Sequence, residues 1–454
     1  MLTLTLALQT IRARLGGFAA SFFAVFLGAA ILMAFSSMLD TRAGGEVDPA
    51  SADTLFIVAT VVGGWGLLIV AFAVASTLTL SVRQRGQEIA LLRSVGATPA
   101  QVRRKIVGEG AVLALVAAFA AIPPAMLAGR LLLELLQDSG QVEPAVGYRF
   151  GPIALSLGLG ITLLAASIAA LVTARRAAGM TSAESVRAAS LDDAGMSKKR
   201  IAAAVFFLLL GLNMAVVTAT VMDGKGIDAM QTAGQASIHA AIGLALLAPL
   251  LVRVVTARLA IPLARAGASG YLAAENMRRR TQQMASALVP IVLFTGVATG
   301  TLLMQSIENG APTDANTSTT AADARNIETL NYVVVGMIAA FAAIMLVNSV
   351  VAATLYRRRE FAQLRLAGST PPQVLRMVSF ESVVLLATGI AFGSLAAAFT
   401  VLPYGIARTD SIFPSSGSSI YLGVVGSAAI LAISAALLAA RRALRVRPVE
   451  AVHT

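Results

Sequence analysis

The chain carries one stretch of sequence twice, as RGQEIALLRSVGATPAQV at residues 85–102 and as RRREFAQLRLAGSTPPQV at residues 357–374. The arginines, the glutamate, the glycine and the Thr-Pro pair recur at a constant offset of 272 residues. The match continues beyond both stretches, where Arg104 and Glu109 recur as Arg376 and Glu381. Because each copy lies between two long apolar runs, the sequence predicts a duplicated basic element at a membrane surface.

Composition predicts an integral membrane protein. Hydrophobic residues make up 57% of the chain and charged residues 13%, and the mean hydropathy is +0.80. A soluble core of this length has no room for so much apolar surface. A membrane span needs about 20 predominantly apolar residues, and ten runs meet that length. They are residues 17–38, 55–82, 106–136, 151–173, 201–222, 236–257, 283–305, 329–355, 377–404 and 418–440.

The distribution of charge predicts the orientation. Lys and Arg are retained on the cytoplasmic side of a membrane, and most of the 35 in this chain fall there if the N-terminus is cytoplasmic. Ten spans then return the C-terminus to the same side, and we expect a multi-pass protein of a bacterial plasma membrane. This polarity explains the net charge of +12 without nucleic acid, and it makes anionic membrane lipids the natural partner of the inner surface.

A second duplication extends the repeat to both halves of the chain. Residues 6–14 before the first run resemble residues 272–280 before the seventh, and residues 174–177 after the fourth run recur as residues 440–443. The sequence therefore predicts an all-α membrane protein with two parallel four-helix repeats and two linking helices. The predicted domains are residues 1–178, the linking region 179–265 and residues 266–454.

The local pattern of each copy predicts a helix that ends and restarts. Ile89, Leu92 and Val95 recur at helical spacing on one face. Gly96 suits the end of that helix, and Thr98-Pro99 suits the cap and first position of the next. We expect the same break at Gly368, Thr370 and Pro371.

These residues resemble a known family. The pattern Glu-x-x-x-x-Arg-x-x-Gly-x-Thr-Pro-x-Gln-Val, repeated between spans, is similar to the cytoplasmic element of FtsX-like permeases, the membrane subunits of MacB/LolC-type (type VII) ABC transporters. The tail at residues 440–452 resembles that family's ending. In the family this element is a coupling helix that docks on an ATPase subunit. The resemblance assigns ATPase coupling to Arg85, Glu88, Arg93, Gly96, Thr98, Pro99, Arg357, Glu360, Arg365, Gly368, Thr370 and Pro371.

The resemblance also implies a division of labour with a partner. A separate ABC ATPase, expected at two copies per chain, would bind ATP and Mg²⁺. This chain has no Gly-x-x-x-x-Gly-Lys-Ser/Thr motif, so we expect it to be a non-enzymatic subunit that binds no cofactor itself. It has no cysteine and two histidines, His239 and His453, and no metal site is predicted.

Short external loops set this chain apart from relatives that carry a large external domain. About 17 residues follow the first span and about 23 follow the seventh. A hydrophobic or amphipathic substrate, exported or extracted from the bilayer, is therefore favoured. The alternative is a signalling subunit that transports nothing and regulates a cell-envelope partner. A secondary transporter without an ATPase is disfavoured, because the centres of the spans offer almost no charged residues for ion coupling.

Two glutamates are candidates for gating. Glu109 and Glu381 occupy matching positions where the third and ninth runs begin, and an acid inside a membrane is costly unless it is paired. One interpretation pairs them with Arg104 and Arg376 in ion pairs that move during gating. The other is that both are solvated residues at the interface.

Overall fold

The computed structural model describes residues 15–179, 196–311 and 336–447, apart from gaps at 46, 65–66, 68–69, 72–90, 93, 337–338, 340–342, 348, 352, 355–356 and 410–416. Every regular element in this part of the chain is helical. The contacts divide the chain into two units, residues 1–186 with 311–341 and residues 187–310 with 342–454.

The helices of the first unit have the following bounds: α1 Leu15–Ala43, α2 Pro49–Ile57, a π-helical turn Val58–Val62, α3 Pro99–Ala120, α4 Ile122–Asp138 and α5 Pro152–Gly179. Helices α3 and α4 are bent by 45° at their junction, where Pro123 and Pro124 begin the second helix. Proline fits the first turn of a helix because that turn has no partner for its N–H groups. The junction therefore bends the chain without breaking a helical hydrogen bond inside α4.

The helices of the second unit are α6 Lys198–Thr220, a 3₁₀ turn Gly226–Asp228, α7 Ala229–Leu246, α8 Ala248–Arg265, α9 Ala268–Arg279, α10 Thr281–Gly310, α11 Arg358–Leu366, α12 Pro371–Thr409 and α13 Gly417–Leu444. Helix α10 is the centre of this unit and is almost completely buried. It packs against α7, α8, α12 and α13. The linking helices α6 and α7 both pack on α12, so within this unit they belong to the same helical bundle as the second repeat.

Five of the described helices are long and apolar enough to cross a membrane, and the number is seven if each bent pair counts as one span. The prediction of an all-α membrane protein is therefore confirmed. The ten-span repeat layout stays a prediction, because the second and eighth runs fall largely outside the described residues. The sixth run, 236–257, is divided by a bend of 64° between α7 and α8.

Buried polar contacts join helices within each unit. In the first, the Asp40 carboxylate of α1 accepts hydrogen bonds from the backbone N–H groups of Ile153 and Ala154, at 3.0 and 2.7 Å, and so caps α5. In the second, the hydroxyl of Thr400 in α12 accepts a hydrogen bond from the N–H of Ser237 in α7 at 3.0 Å. Such bonds stabilise helix pairs inside a membrane, where no water competes for the polar groups.

Candidate functional site

The second copy of the duplicated sequence forms a tight break between α11 and α12. Gly368 has a φ of +96°, a left-handed conformation that favours glycine. The N–H of Ser369 donates to the carbonyl of Leu364 at 2.9 Å, and the N–H of Gly368 donates to the carbonyl of Arg365 at 3.1 Å. This pair of bonds is a Schellman motif, which satisfies the last carbonyls of a helix.

The next helix restarts at once from a polar cap. The N–H of Thr370 donates to the side-chain oxygen of Gln373 at 2.8 Å. Pro371 is the first residue of α12, where its fixed φ and missing N–H are tolerated. The chain thus passes from α11 into α12 over four residues.

The first copy repeats the main features of this geometry. Gly96 has a φ of +97°, and the N–H of Ala97 donates to the carbonyl of Leu92 at 3.0 Å. Thr98 and Gln101 form a capping box at the start of α3, with bonds of 2.8 and 3.3 Å. The predicted break is confirmed in both copies. We call residues 94–101 the first turn and residues 366–373 the second turn.

Both turns present a similar surface to solvent. The first three residues of each are exposed, the fourth is half-buried and the last four are exposed. Apolar side chains are among them: Val95 is 83% exposed and Leu366 is 57% exposed. Single exposed apolar residues are common on protein surfaces, so the feature that leaves both turns accessible to a partner is their shared exposure along residues 94–101 and 366–373.

A network of buried charges lies behind the second turn. The guanidinium of Arg357 donates to both carboxylate oxygens of Glu360, at 2.9 and 3.0 Å. It also binds both oxygens of Glu381 in α12, one of them at 3.0 Å. Arg280, between α9 and α10, donates to Glu360 at 2.7 Å, and the side-chain amide of Asn276 donates to Glu381 at 3.2 Å. We call these five residues the charge network.

The contacts of the charge network hold the Glu360 carboxyl in the ionised form. Burial raises the pKa of the Glu360 carboxyl, but the Arg357 guanidinium together with Arg280 and Asn276 outweighs burial and holds that pKa below its usual value. A lowered pKa in the folded state stabilises the fold above the unfolded pKa of about 4.3. That contribution is lost as the pH falls through the lowered value, so Glu360 is ionised at neutral pH.

Arg365 contacts the C-terminal end of the last helix, α13. Its guanidinium donates to the backbone carbonyls of Leu444 and Val446, at 2.9 and 3.2 Å. Leu444 is the last residue of α13, where carbonyl groups have no helical partner and attract a cation. Arg365 therefore fastens α11 to the C-terminal end of the last helix.

The two candidate gating glutamates are both buried, with Glu109 3% and Glu381 2% exposed. Glu381 is bound by Arg357, whereas Arg376, with which one interpretation paired it, is exposed. The ammonium of Lys105 lies 3.9 Å from the Glu109 carboxylate. Burial of both favours a paired acid over a solvated one.

Several predicted residues cannot be placed, and others were missed. Arg85, Glu88 and Arg93 lie outside the described residues. Arg280 and Asn276 were not predicted, although Arg280 lies in the second duplication, where it matches Arg14.

Among the described residues, no group of three or more His, Cys, Asp or Glu is placed to hold a metal ion.

The described features define a class of protein: a multi-pass α-helical membrane protein with two matched turns. A comparison with protein families matches the FtsX-like permease C-terminal family at residues 60–182 and 332–448, together more than half of the chain. The chain therefore belongs to the FtsX-like permease family. Each matched segment contains one turn, which agrees with the internal duplication. No curated protein matches the chain significantly.

Family membership indicates an ABC-transporter-type permease subunit. Permeases of this family generally work with a separate ABC ATPase, and family membership suggests a non-enzymatic membrane subunit.

Proposed function

We propose that this chain is the permease subunit of an ABC transporter and that each turn docks on one copy of an ATPase. The observation that carries the proposal is the recurrence of one backbone geometry and one exposure pattern at residues 94–101 and 366–373. Two equivalent surfaces on one chain suit two equivalent partners. ATP and Mg²⁺ would be bound by those partners.

The contacts of the second turn support separate roles for the residues assigned to coupling. Arg357, Glu360 and Arg365 bind other parts of this chain, so their role is to position α11. Gly368, Thr370 and Pro371 form the exposed turn itself, as Gly96, Thr98 and Pro99 do in the first copy. The partner would then be recognised by the turn, and the charged residues would transmit its movement.

The charge network provides a route for that transmission. Arg357 joins α11 to α12 through Glu381, and Glu360 joins α11 to the α9–α10 junction through Arg280. Arg365 joins α11 to α13. Because salt-bridged groups in a low-dielectric site resist separation, movement of α11 would shift the cytoplasmic ends of these helices together. Glu381 would act in gating as the acceptor of this movement.

The substrate is proposed to be hydrophobic or amphipathic and to be exported or extracted from the bilayer. The loops between the described helices are short, at residues 44–48 and 139–151 in the first unit. They leave substrate contact to the spans themselves. A signalling subunit that regulates a cell-envelope partner is the alternative, and it predicts ATPase binding without transport.

The test places a glutamate on both turns, as Val95→Glu with Ala367→Glu. Both residues are exposed and occupy the same position in the repeat, so the fold should tolerate the change. We expect co-purification of the ATPase to fall at least ten-fold, because a charge is placed against a partner surface that covers apolar groups. The matched control is Ala145→Glu, an exposed alanine in the loop before α5, which should leave co-purification unchanged.

A second variant separates docking from transmission. Reversing the charge of Arg93 and Arg365 together should retain bound ATPase but abolish its stimulation by substrate, because the turns are kept and the contact of Arg365 with the end of α13 is lost. Wild-type ATPase binding in the double-glutamate variant would contradict docking at the turns. Wild-type stimulation in the charge-reversal variant would contradict the proposed transmission.

A further inference from the structure

Helix α8 does not continue the direction of α7. It is bent by 64° from α7, and the backbone carbonyl of Leu246 at the bend accepts a hydrogen bond from the Arg200 guanidinium at 2.7 Å. Helix α7 has 18 residues, so it is about 27 Å long and by itself nearly spans a hydrocarbon core of about 30 Å. The 18 residues of α8 therefore exceed what one crossing of the membrane requires.

Basic residues near the bend between α7 and α8 indicate its depth in the membrane. Lys198, Lys199 and Arg200 begin α6, and the Arg200 bond places this end of α6 beside the end of α7. Helix α8 itself carries Arg253, Arg258 and Arg265, all exposed. Arginine is strongly disfavoured in the hydrocarbon core and is retained on the cytoplasmic side. Helix α8 consequently belongs at the cytoplasmic boundary of the membrane.

Its surface has two different apolar faces. Val252, Thr256 and Leu263 are buried, on the side where α8 packs against α9 and α10. A second stripe faces away from the protein: Leu250, Val254, Ala257 and Ile261 are exposed and follow one another at spacings of 4, 3 and 4 residues. Within the described residues of this unit, nothing covers that stripe.

The arginines flank the exposed stripe. Arg253 precedes Val254 on one side, Arg258 follows Ala257 on the other, and Arg265 lies one helical turn beyond Ile261. A helix lying in the membrane interface has this pattern, with an apolar face in the acyl boundary and basic residues at the phosphates. Long arginine side chains reach the headgroups while the helix axis stays near the acyl chains.

We propose that α8 is an interfacial helix that binds anionic phospholipid of the cytoplasmic leaflet, with Leu250, Val254 and Ile261 among the acyl chains and Arg258 and Arg265 at the headgroups. It would anchor the linking region next to α9, which leads directly to the charge network at Arg280. This inference does not depend on ATPase docking, and it assigns the exposed surface of α8 to lipid.

The absence of cysteine from the chain makes a direct depth measurement straightforward. Single-cysteine variants Val254→Cys and Ile261→Cys would carry a nitroxide label in vesicles of phosphatidylcholine mixed with phosphatidylglycerol. We expect collisions with oxygen to exceed those with a water-soluble nickel chelate at both labels, at a depth of about 5–10 Å. Asp223→Cys in the α6–α7 loop provides an aqueous reference, and Ile430→Cys on the exposed side of α13 provides a reference for the centre of a span.

The charge requirement is tested by the association of spin-labelled phosphatidylglycerol relative to phosphatidylcholine. Arg258→Gln with Arg265→Gln should reduce this preference by about five-fold per arginine at low salt, and Arg258→Lys with Arg265→Lys should keep it. The control is Arg278→Gln with Arg279→Gln, because these exposed arginines of α9 are both paired with Glu275 and should matter less.

Any one of three results would overturn the proposal. Labels at Val254 and Ile261 that match the aqueous reference would place α8 outside the interface. An unchanged lipid preference in the Arg258→Gln/Arg265→Gln variant, with the lysine variant equally unchanged, would remove the anionic-lipid site. Immersion of the labels that required added ATPase would likewise overturn it, since the stripe would then be a protein-docking surface.

Discussion

Arg357 lies at the centre of the charge network behind the second turn. Its guanidinium binds Glu360 in α11 and Glu381 in α12, and its Cζ atom lies 5.1 Å from the centre of the Phe361 ring. Bidentate arginine–carboxylate contacts are among the stronger polar interactions in proteins. Removing one partner of a buried pair costs far more than the pair contributes in net stability, because a charge is left buried without compensation.

Replacement of Arg357 by methionine is therefore expected to destabilise the protein by about 3–5 kcal/mol. Thermal unfolding in detergent measures the change, and Arg357→Met with Glu381→Gln should regain part of the loss because one buried charge is removed. Arg358→Met is the control: Arg358 is the next residue and is exposed, so its loss should cost no more than about 0.5 kcal/mol. Equal midpoints for Arg357→Met and Arg358→Met would contradict a buried network.

Gly96 and Gly368 offer a matched pair of backbone tests. Both have a positive φ, and a Cβ at either position would meet no other atom within 4 Å. Alanine should thus cost only the conformational strain of about 1–2 kcal/mol, with the same loss at both positions. Asparagine, which tolerates this conformation better, should cost less. A rise in the unfolding midpoint with alanine would show that these glycines are not held in the left-handed region.

Residue patterns predicted the breaks at Gly96 and Gly368 because a helix end depends on local conformation and capping. The partner of Glu381 was not predictable in the same way. Arg357 is 24 residues away in the chain, and the choice between it and Arg376 depends on how α11 packs beside α12. Arg280 and Asn276 enter the charge network for the same reason, through the position of α9.

At the scale of elements, short helices connect long ones. Helix α11 has nine residues, yet its side chains and its N-cap residue Arg357 bind α12, the α9–α10 junction and the end of α13. The division of the sixth run into α7 and α8 was missed because apolar content alone does not show a bend. Pro249 and Arg253 were the available signals, since a helix commonly ends before proline and arginine avoids the membrane centre.

Close packing of α6 on α7 is the element-scale feature most open to a test. A Cβ at Gly243 would lie 2.7 Å from the Leu208 side chain and 3.0 Å from the backbone carbonyl of Ala204. Gly243→Leu should force the two helices apart and lower stability by about 1–3 kcal/mol, measured by thermal unfolding. Gly423→Leu is the control, because Gly423 is exposed on α13 with nothing within 4 Å. Similar midpoints for both variants would contradict close packing of α6 and α7.

At the scale of the whole molecule, one chain contains two copies of the family's sequence, each with one turn. The linking helices α6 and α7 pack with the second copy, which the repeat alone did not predict, since no motif lies in residues 179–265. The sequence predicted the helical membrane class because composition and run length depend little on tertiary packing. The number of ATPase partners and the identity of the substrate depend on the shape and chemistry of surfaces, which composition does not describe.

The central claim is that two turns on one chain recruit two ATPases. It is tested most directly by native mass spectrometry of the intact complex, purified in mild detergent by a tag on this chain. The account predicts one permease chain with two copies of an ABC ATPase, and no bound ATPase after the Val95→Glu/Ala367→Glu change. A permease repeatedly recovered without ATPase, or with a single copy whose binding survives that change, would contradict it.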